Sequence, residues 1–288
     1  MRWLILFFLP LTLLAVINPE GRPSKAPFIS GDAFRAISDY CYDEVDQSLN
    51  PFSIEEKSTI FVKTDLLGEF FSKIHPLINV SYILITHNSD DPTPGIFFPL
   101  LDEDKLIAWF GQNYDGFPHP KMIPIPMGIA NFCWSHGNAD LIKRVKDKYL
   151  KKTHLAHMQF SVETFAEERY AVFKKFSKAS YCYSPPKKAF YKYLGDLASS
   201  KFEISPRGHA LDTHRIWESL YLDVIPIVKT SSLNSLYEDL PILVIEDWNQ
   251  VNKSFLKHKY KEFQTKSFSM EKIYMNYWIK LIDSYKNL

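Results

Sequence analysis

Apolar residues recur along this chain in two periods, continuous short runs and helically spaced stripes, and their alternation predicts a βα rhythm. Residues 80–86 are nearly all apolar, as expected of a strand buried on both faces. Residues 58–63, 106–110 and 122–125 read as further short strands. Residues 66–74 read as a helix with Leu67, Phe70, Phe71 and Ile74 on one side, and 140–150 as another. The rhythm then restarts. Residues 155–160 form an expected strand, and 162–176 a helix with Phe165, Arg169, Val172 and Phe176 at helical spacing. A helix over 188–198 and strands over 201–204, 224–228 and 243–246 follow. Strands alternating with helices imply layers around parallel sheets.

Two segments stand outside that rhythm. Residues 269–288 carry one stripe of Ile273, Tyr274, Tyr277, Trp278, Leu281, Ile282 and Tyr285, an amphipathic helix expected to pack on the body. Residues 3–17 are about 15 apolar positions after Met1-Arg2, shorter than the roughly 20 a bilayer span needs. They read as a signal peptide or a short signal anchor, with a Pro-rich linker to residue 27. The expected division is therefore 1–27 targeting segment and linker, 28–153 first domain, 154–268 second domain, and 269–288 terminal helix.

The densest chemistry lies in Ser205-Pro-Arg-Gly-His-Ala-Leu-Asp-Thr-His-Arg-Ile-Trp-Glu218. Pro206 and Gly208 break the preceding strand, and Asp212 or Thr213 caps a helix. Arg215 and Glu218, three apart, share a face of that helix. A helix N-terminus beside arginines and a carboxylate, at the end of a strand, suits a diphosphate next to a ribose. Arg207 and Arg215 are the phosphate candidates because a guanidinium presents a planar set of donors. The competing reading is a structural ion pair, for instance Arg215 with Asp212 or Glu218. Gly208, His209, Thr213 and Ser231 complete the expected donor set, with Glu218 accepting the ribose hydroxyls.

This block resembles the donor-binding motif of exostosin-like glycosyltransferases through Ser205, Pro206, Arg207, Gly208, Asp212, Arg215, Trp217, Glu218, Ile225, Pro226 and Ile227. Ser30-Gly-Asp-Ala-Phe-Arg35, Ile85-Thr-His-Asn-Ser-Asp90, Trp109-Phe-Gly-Gln-Asn113 and Pro124-Ile-Pro-Met-Gly128 extend it over most of residues 28–250. The resemblance implies two Rossmann-like domains facing a central cleft (GT-B), with the donor in the second domain and the acceptor glycan in the first. It implies an inverting transfer from a UDP- or GDP-linked sugar. A fucosyltransferase-like GT-B enzyme, or an inactive glycan-binding module of the same fold, is the alternative.

An in-line displacement needs a base from the opposite domain. His87 and Asp90 follow the 80–86 strand, and Asp32 follows an expected first strand; these are the base candidates. No metal is expected, since arginines and a helix terminus can meet the leaving group. Asp102-Glu-Asp104 reads as a solvated turn and residues 143–152 as the wet face of a helix.

Composition narrows this little further. In 288 residues, 46% are hydrophobic, enough for two modest cores. The net charge of +1 gives no general attraction to nucleic acid. Cys41, Cys133 and Cys182 read as buried thiols, and no Gly-x-Gly-x-x-Gly turn supports a nucleotide-dependent oxidoreductase. Asn79 and Asn252 head sequons, the first expected to be hidden. The apolar N-terminus implies membrane association or export, the Golgi lumen in a eukaryote.

Overall fold

The computed structural model describes residues 22–287, so the apolar N-terminal segment lies outside the described residues. After a short helix α1 (Gly31–Ala36) comes a parallel sheet of β1 (Tyr40–Tyr42), β2 (Ser58–Lys63), β3 (Tyr82–His87), β4 (Leu106–Gln112) and β5 (Met122–Ile125), ordered as in the sequence. Successive side chains take opposite faces. Ile60, Val62, Tyr82 and Leu84 enter one core, and Phe61, Ile83, Ile85 and Phe110 the other.

Right-handed crossovers that all step the same way fall on one face of a sheet. Here they are α2 (Leu67–Glu69), the π turn Phe70–Ile74 that continues it, and the 3-10 segment Gly95–Asp102. Their Phe70, Phe71 and Leu101 fill the first core. The opposite face must be covered by elements from elsewhere in the chain.

Helix α3 (Ala139–Lys146) leads to the second sheet and packs on its helices, through Ala139, Ile142 and Val145. That sheet holds β6 (His154–His157), β7 (Cys182–Tyr183), β8 (Ser200–Ile204), β9 (Ile225–Lys229) and β10 (Leu243–Ile245), all parallel, in the order β10-β9-β8-β6-β7. Between them lie α4 (Ala166–Phe176), α5 (Phe190–Ala198), α6 (His214–Tyr221) and α7 (Asn234–Tyr237). Strand order reverses at β6, whose neighbours are β7 and β8. That is the topological switch point of a doubly wound sheet, where the carboxyl ends of strands leave a crevice.

Two further helices close the chain, α8 (Lys253–Thr265) and α9 (Met275–Lys286). The latter covers the open face of the first sheet. Trp278 meets Phe34 at 6.2 Å between ring centroids, Tyr285 meets Phe110 at 5.4 Å, and Lys286 pairs with Asp39. Burial of Met275, Trp278 and Ile282 contributes about 1.5–3 kcal/mol each. The chain is thus α/β, with two Rossmann-like domains facing a cleft in a GT-B-like arrangement and a terminal helix returned to the first domain. Among the described residues no helix is long and apolar enough to cross a membrane.

Several expectations need correction. The C-terminal helix starts at Met275, because Glu271–Ile273 is a 3-10 turn and Tyr274 is extended. Asp32 follows no strand; it sits in the first turn of α1, which Ser30 caps. Asn79 and Cys133 are exposed rather than hidden.

Candidate active site

Loop 205–213 and α6 leave β8 and do two jobs at once. One side of the segment ties the domains together. Asp212, buried, accepts from the Met127 N–H at 2.8 Å and from Trp217 Nε1 at 2.8 Å. Asn113 Oδ1 accepts from the Leu211 N–H, and His214 Nδ1 donates to the Gly128 carbonyl at 2.8 Å. Tyr221 Oη accepts from the Ile29 N–H and donates to the Ile273 carbonyl. Gly128 is needed at its joint: its φ is +67°, and a Cβ there would lie 2.3 Å from the Ile29 carbonyl oxygen.

The other side faces a cleft of about 1060 Å³ at the β6/β8 switch point. Beneath the cleft lining Glu203, fully buried, takes His157 Nδ1 at 2.5 Å and pairs with Arg215 Nε at 3.3 Å. Arg215 Nε also donates to the Gln159 carbonyl at 3.1 Å. Beside it, Glu218 accepts from Tyr193 Oη at 2.8 Å; burial pushes its carboxyl up to about 7. Arg169 donates only to oxygens that carry no charge: the Arg207, Ser161 and Pro206 carbonyls and the Thr164 hydroxyl. Burial, with Arg215 nearby, lowers it to about 10, so it stays charged at neutral pH.

Two guanidiniums, Arg169 buried and Arg215 half-buried, therefore share this site, and among the described residues Arg169 forms no ion pair, Glu168 acting on it only through its charge. Arg215 Nη1, Gln159 Oε1, His157 Nε2 and Thr213 Oγ1 are buried and have no hydrogen-bond partner among the described residues. Orphaned polar atoms of this kind are uncommon in a folded interior. They cluster where α6 begins, and no side chain caps that helix. The arrangement offers positive charge, free donors and an acceptor that ionises near neutrality.

The expected donor residues divide. Gly208, His209, Asp212, Thr213, Arg215 and Glu218 line the cleft, although the Asp212 oxygens are taken by the domain joint. Arg207 and Ser231 do not reach it. Arg207 folds over Phe165, 4.4 Å from its ring centroid, donates to the His209 carbonyl at 2.8 Å, and borders a separate hollow of about 460 Å³ with Ser231.

Two of the three base candidates are sealed away. His87 donates from Nε2 to the Pro126 carbonyl and accepts the Asn88 N–H at Nδ1. Asp32 is buried against Arg22 at 3.2 Å. Only Asp90, exposed, lines the cleft. From the first domain it is joined there by Met127, which lies in the Pro124–Gly128 segment of the resemblance, and by Ser135 and His136, which the sequence did not single out.

Burial lowers His87 to about 4, which has a measurable consequence. A histidine held neutral contributes stability above its unfolded value near 6.5 that is lost as pH falls through the folded value. Between pH 7.5 and pH 4 the protein should lose about 3 kcal/mol through this group. His87→Gln should lack that increment, so the gap between the two unfolding free energies should narrow by that amount on acidification.

No family model matches the chain, and no curated protein matches it in sequence. Among solved structures it is similar to the UDP-GlcNAc 2-epimerase of Methanocaldococcus jannaschii, at 10% identity over 73% of this chain and 71% of that one. The TM-score is 0.36, too low to carry a functional argument.

Proposed function

We propose that this protein is a glycosyltransferase that moves a sugar from a nucleotide donor to a glycan or glycoconjugate acceptor, in the manner of the exostosin-like enzymes its motif resembles. One observation carries the reading. Arg169, Arg215 and Glu218 converge with an uncapped helix start at the switch point of the second sheet. The guanidiniums and the α6 N–H groups hold the diphosphate and stabilise it as it leaves, in place of a metal. Glu218 accepts the ribose hydroxyls. Displacement is in-line with inversion, and the first domain binds the acceptor. The apolar N-terminus tethers or exports the protein.

Glu218→Gln tests the donor site. Glutamine keeps an oxygen for Tyr193 and removes a charge that is costly to bury, so the fold should survive. A hydrogen bond to a charged group contributes about 1.5–3 kcal/mol, so UDP or GDP affinity by calorimetry should fall roughly 10–150-fold. Affinity should also rise from pH 6 to pH 8 as the carboxyl ionises, and that rise should shrink in the variant to the part set by the nucleotide's own terminal phosphate, which loses its second proton at about pH 6. Unchanged affinity sinks the assignment. Preference for GDP over UDP would favour the fucosyltransferase-like alternative.

A further inference from the structure

We infer that His136 is the general base of this transferase and that Trp134 is the platform on which the acceptor sugar stacks. The inference rests on the transferase reading and extends it to the acceptor side. Both residues belong to the loop that follows β5, at the carboxyl end of the first sheet. His136 lines the cleft from the first domain, opposite Arg215 and Glu218 of the second. Its ring lies 5.9 Å from that of His214, the first residue of α6. The imidazole thus packs beside the helix start from the first-domain wall of the cleft, and on this inference the in-line nucleophile approaches from that wall.

Three rings surround it. Trp134 lies at 6.3 Å and 33° to the His136 plane, Phe190 at 6.3 Å, and His214 completes the set. Trp134 keeps 62% of its surface open, and Phe132 keeps 50%. Aromatic faces exposed beside a cleft of mixed polar and apolar lining suit a ligand with one apolar face and one hydroxylated edge. A pyranose has that form. Gly137 holds the loop in place, since a Cβ there would strike the Asn131 carbonyl oxygen at 1.8 Å.

In the step, a ring nitrogen of His136 takes the proton of the acceptor hydroxyl while that oxygen's electron pair forms the new bond to the anomeric carbon. The bond from that carbon to the diphosphate oxygen breaks, and its electrons stay on the leaving nucleoside diphosphate. Such a base must be neutral before the reaction. Desolvation and the nearby Lys187 ammonium lower His136 from 6.5. The titratable groups facing it are Lys187 and His214, with His214 itself lowered to about 4 by desolvation.

The test uses the full chain with a panel of UDP- and GDP-sugars, methyl glycosides as acceptors, and nucleotide release as the readout. His136→Gln should reduce kcat roughly 100- to 10,000-fold with UDP or GDP affinity unchanged by calorimetry. In the wild type, with the donor saturating so that Glu218 ionisation does not enter, the acid limb of kcat should fall below pH 6.5. Trp134→Ala should raise the acceptor KM about tenfold, with Trp134→Phe restoring most of it. Turnover by His136→Gln within threefold of wild type, or a large loss in Asp90→Asn alone, overturns the base while leaving the donor site standing. If the wild type neither binds nor consumes any nucleotide sugar, the transferase reading and this inference fall together.

Discussion

Replacing Asp212 with alanine should lower the unfolding free energy by about 2–6 kcal/mol, read from urea denaturation. The buried Oδ2 accepts two N–H groups at once, Met127 from the first domain and Trp217 from α6. Alanine leaves both donors unpaired in a closed interior, at about 1–3 kcal/mol each. Asparagine can keep an oxygen toward both, but turns its amide nitrogen on the Thr213 N–H, which the second carboxylate oxygen now takes at 2.8 Å. The order of stability should therefore be wild type, then Asp212→Asn, then Asp212→Ala. The Met127 amide should lose its protection from hydrogen exchange in the alanine variant. A loss below about 1 kcal/mol with that amide still protected would mean that the carboxylate does not join the domains.

This double use of one segment explains what could be read in advance. The second-sheet strand order follows from right-handed connections, but the reversal at β6 depends on where a two-residue strand, Cys182–Tyr183, chooses to pair. No periodicity announces so short an element. Residues 82–87 were legible because both faces are buried, and Trp278 and Ile282 because a strong stripe needs a partner surface. Helix α8 carries little sequence signal: only Leu256 is buried, so its apolar pattern is weak.

The site shows the same limit at the level of side chains. His87 and Asp32 do lie near the carboxyl ends of the first sheet, but both turn inward, and rotamers are decided by long-range partners such as the Pro126 carbonyl and Arg22. Arg169 fell on an apolar stripe and read as part of it. Its guanidinium in fact reaches the carbonyls of Pro206 and Arg207, nearly forty positions away. A signal for the site was present in Glu203, a carboxylate set between Phe202 and Ile204 in a strand, where an unpaired charge would be costly. His136 had no such signal, because a loop histidine is ordinary until the opposite wall of the cleft is known.

Arg215 is where stability and binding can be pulled apart. Its Nε faces Glu203 at 3.3 Å, while its buried Nη1 has no partner among the described residues. Arg215→Met leaves Glu203, at zero exposure, with His157 as its remaining hydrogen-bond partner among the described residues. Breaking a buried pair costs about 3–5 kcal/mol, so the variant should unfold at markedly lower urea. It should also bind UDP or GDP roughly 10–150-fold more weakly. Arg215→Lys should recover only part of that affinity, since an ammonium lacks the planar fork. Adding Glu203→Gln to Arg215→Met removes the stranded charge and should restore most of the stability. Nucleotide affinity should stay low in the double variant, because the donor that met the diphosphate is still gone. If affinity returns with stability, Arg215 serves only to neutralise Glu203, and the diphosphate must be held by Arg169 and the start of α6 without it.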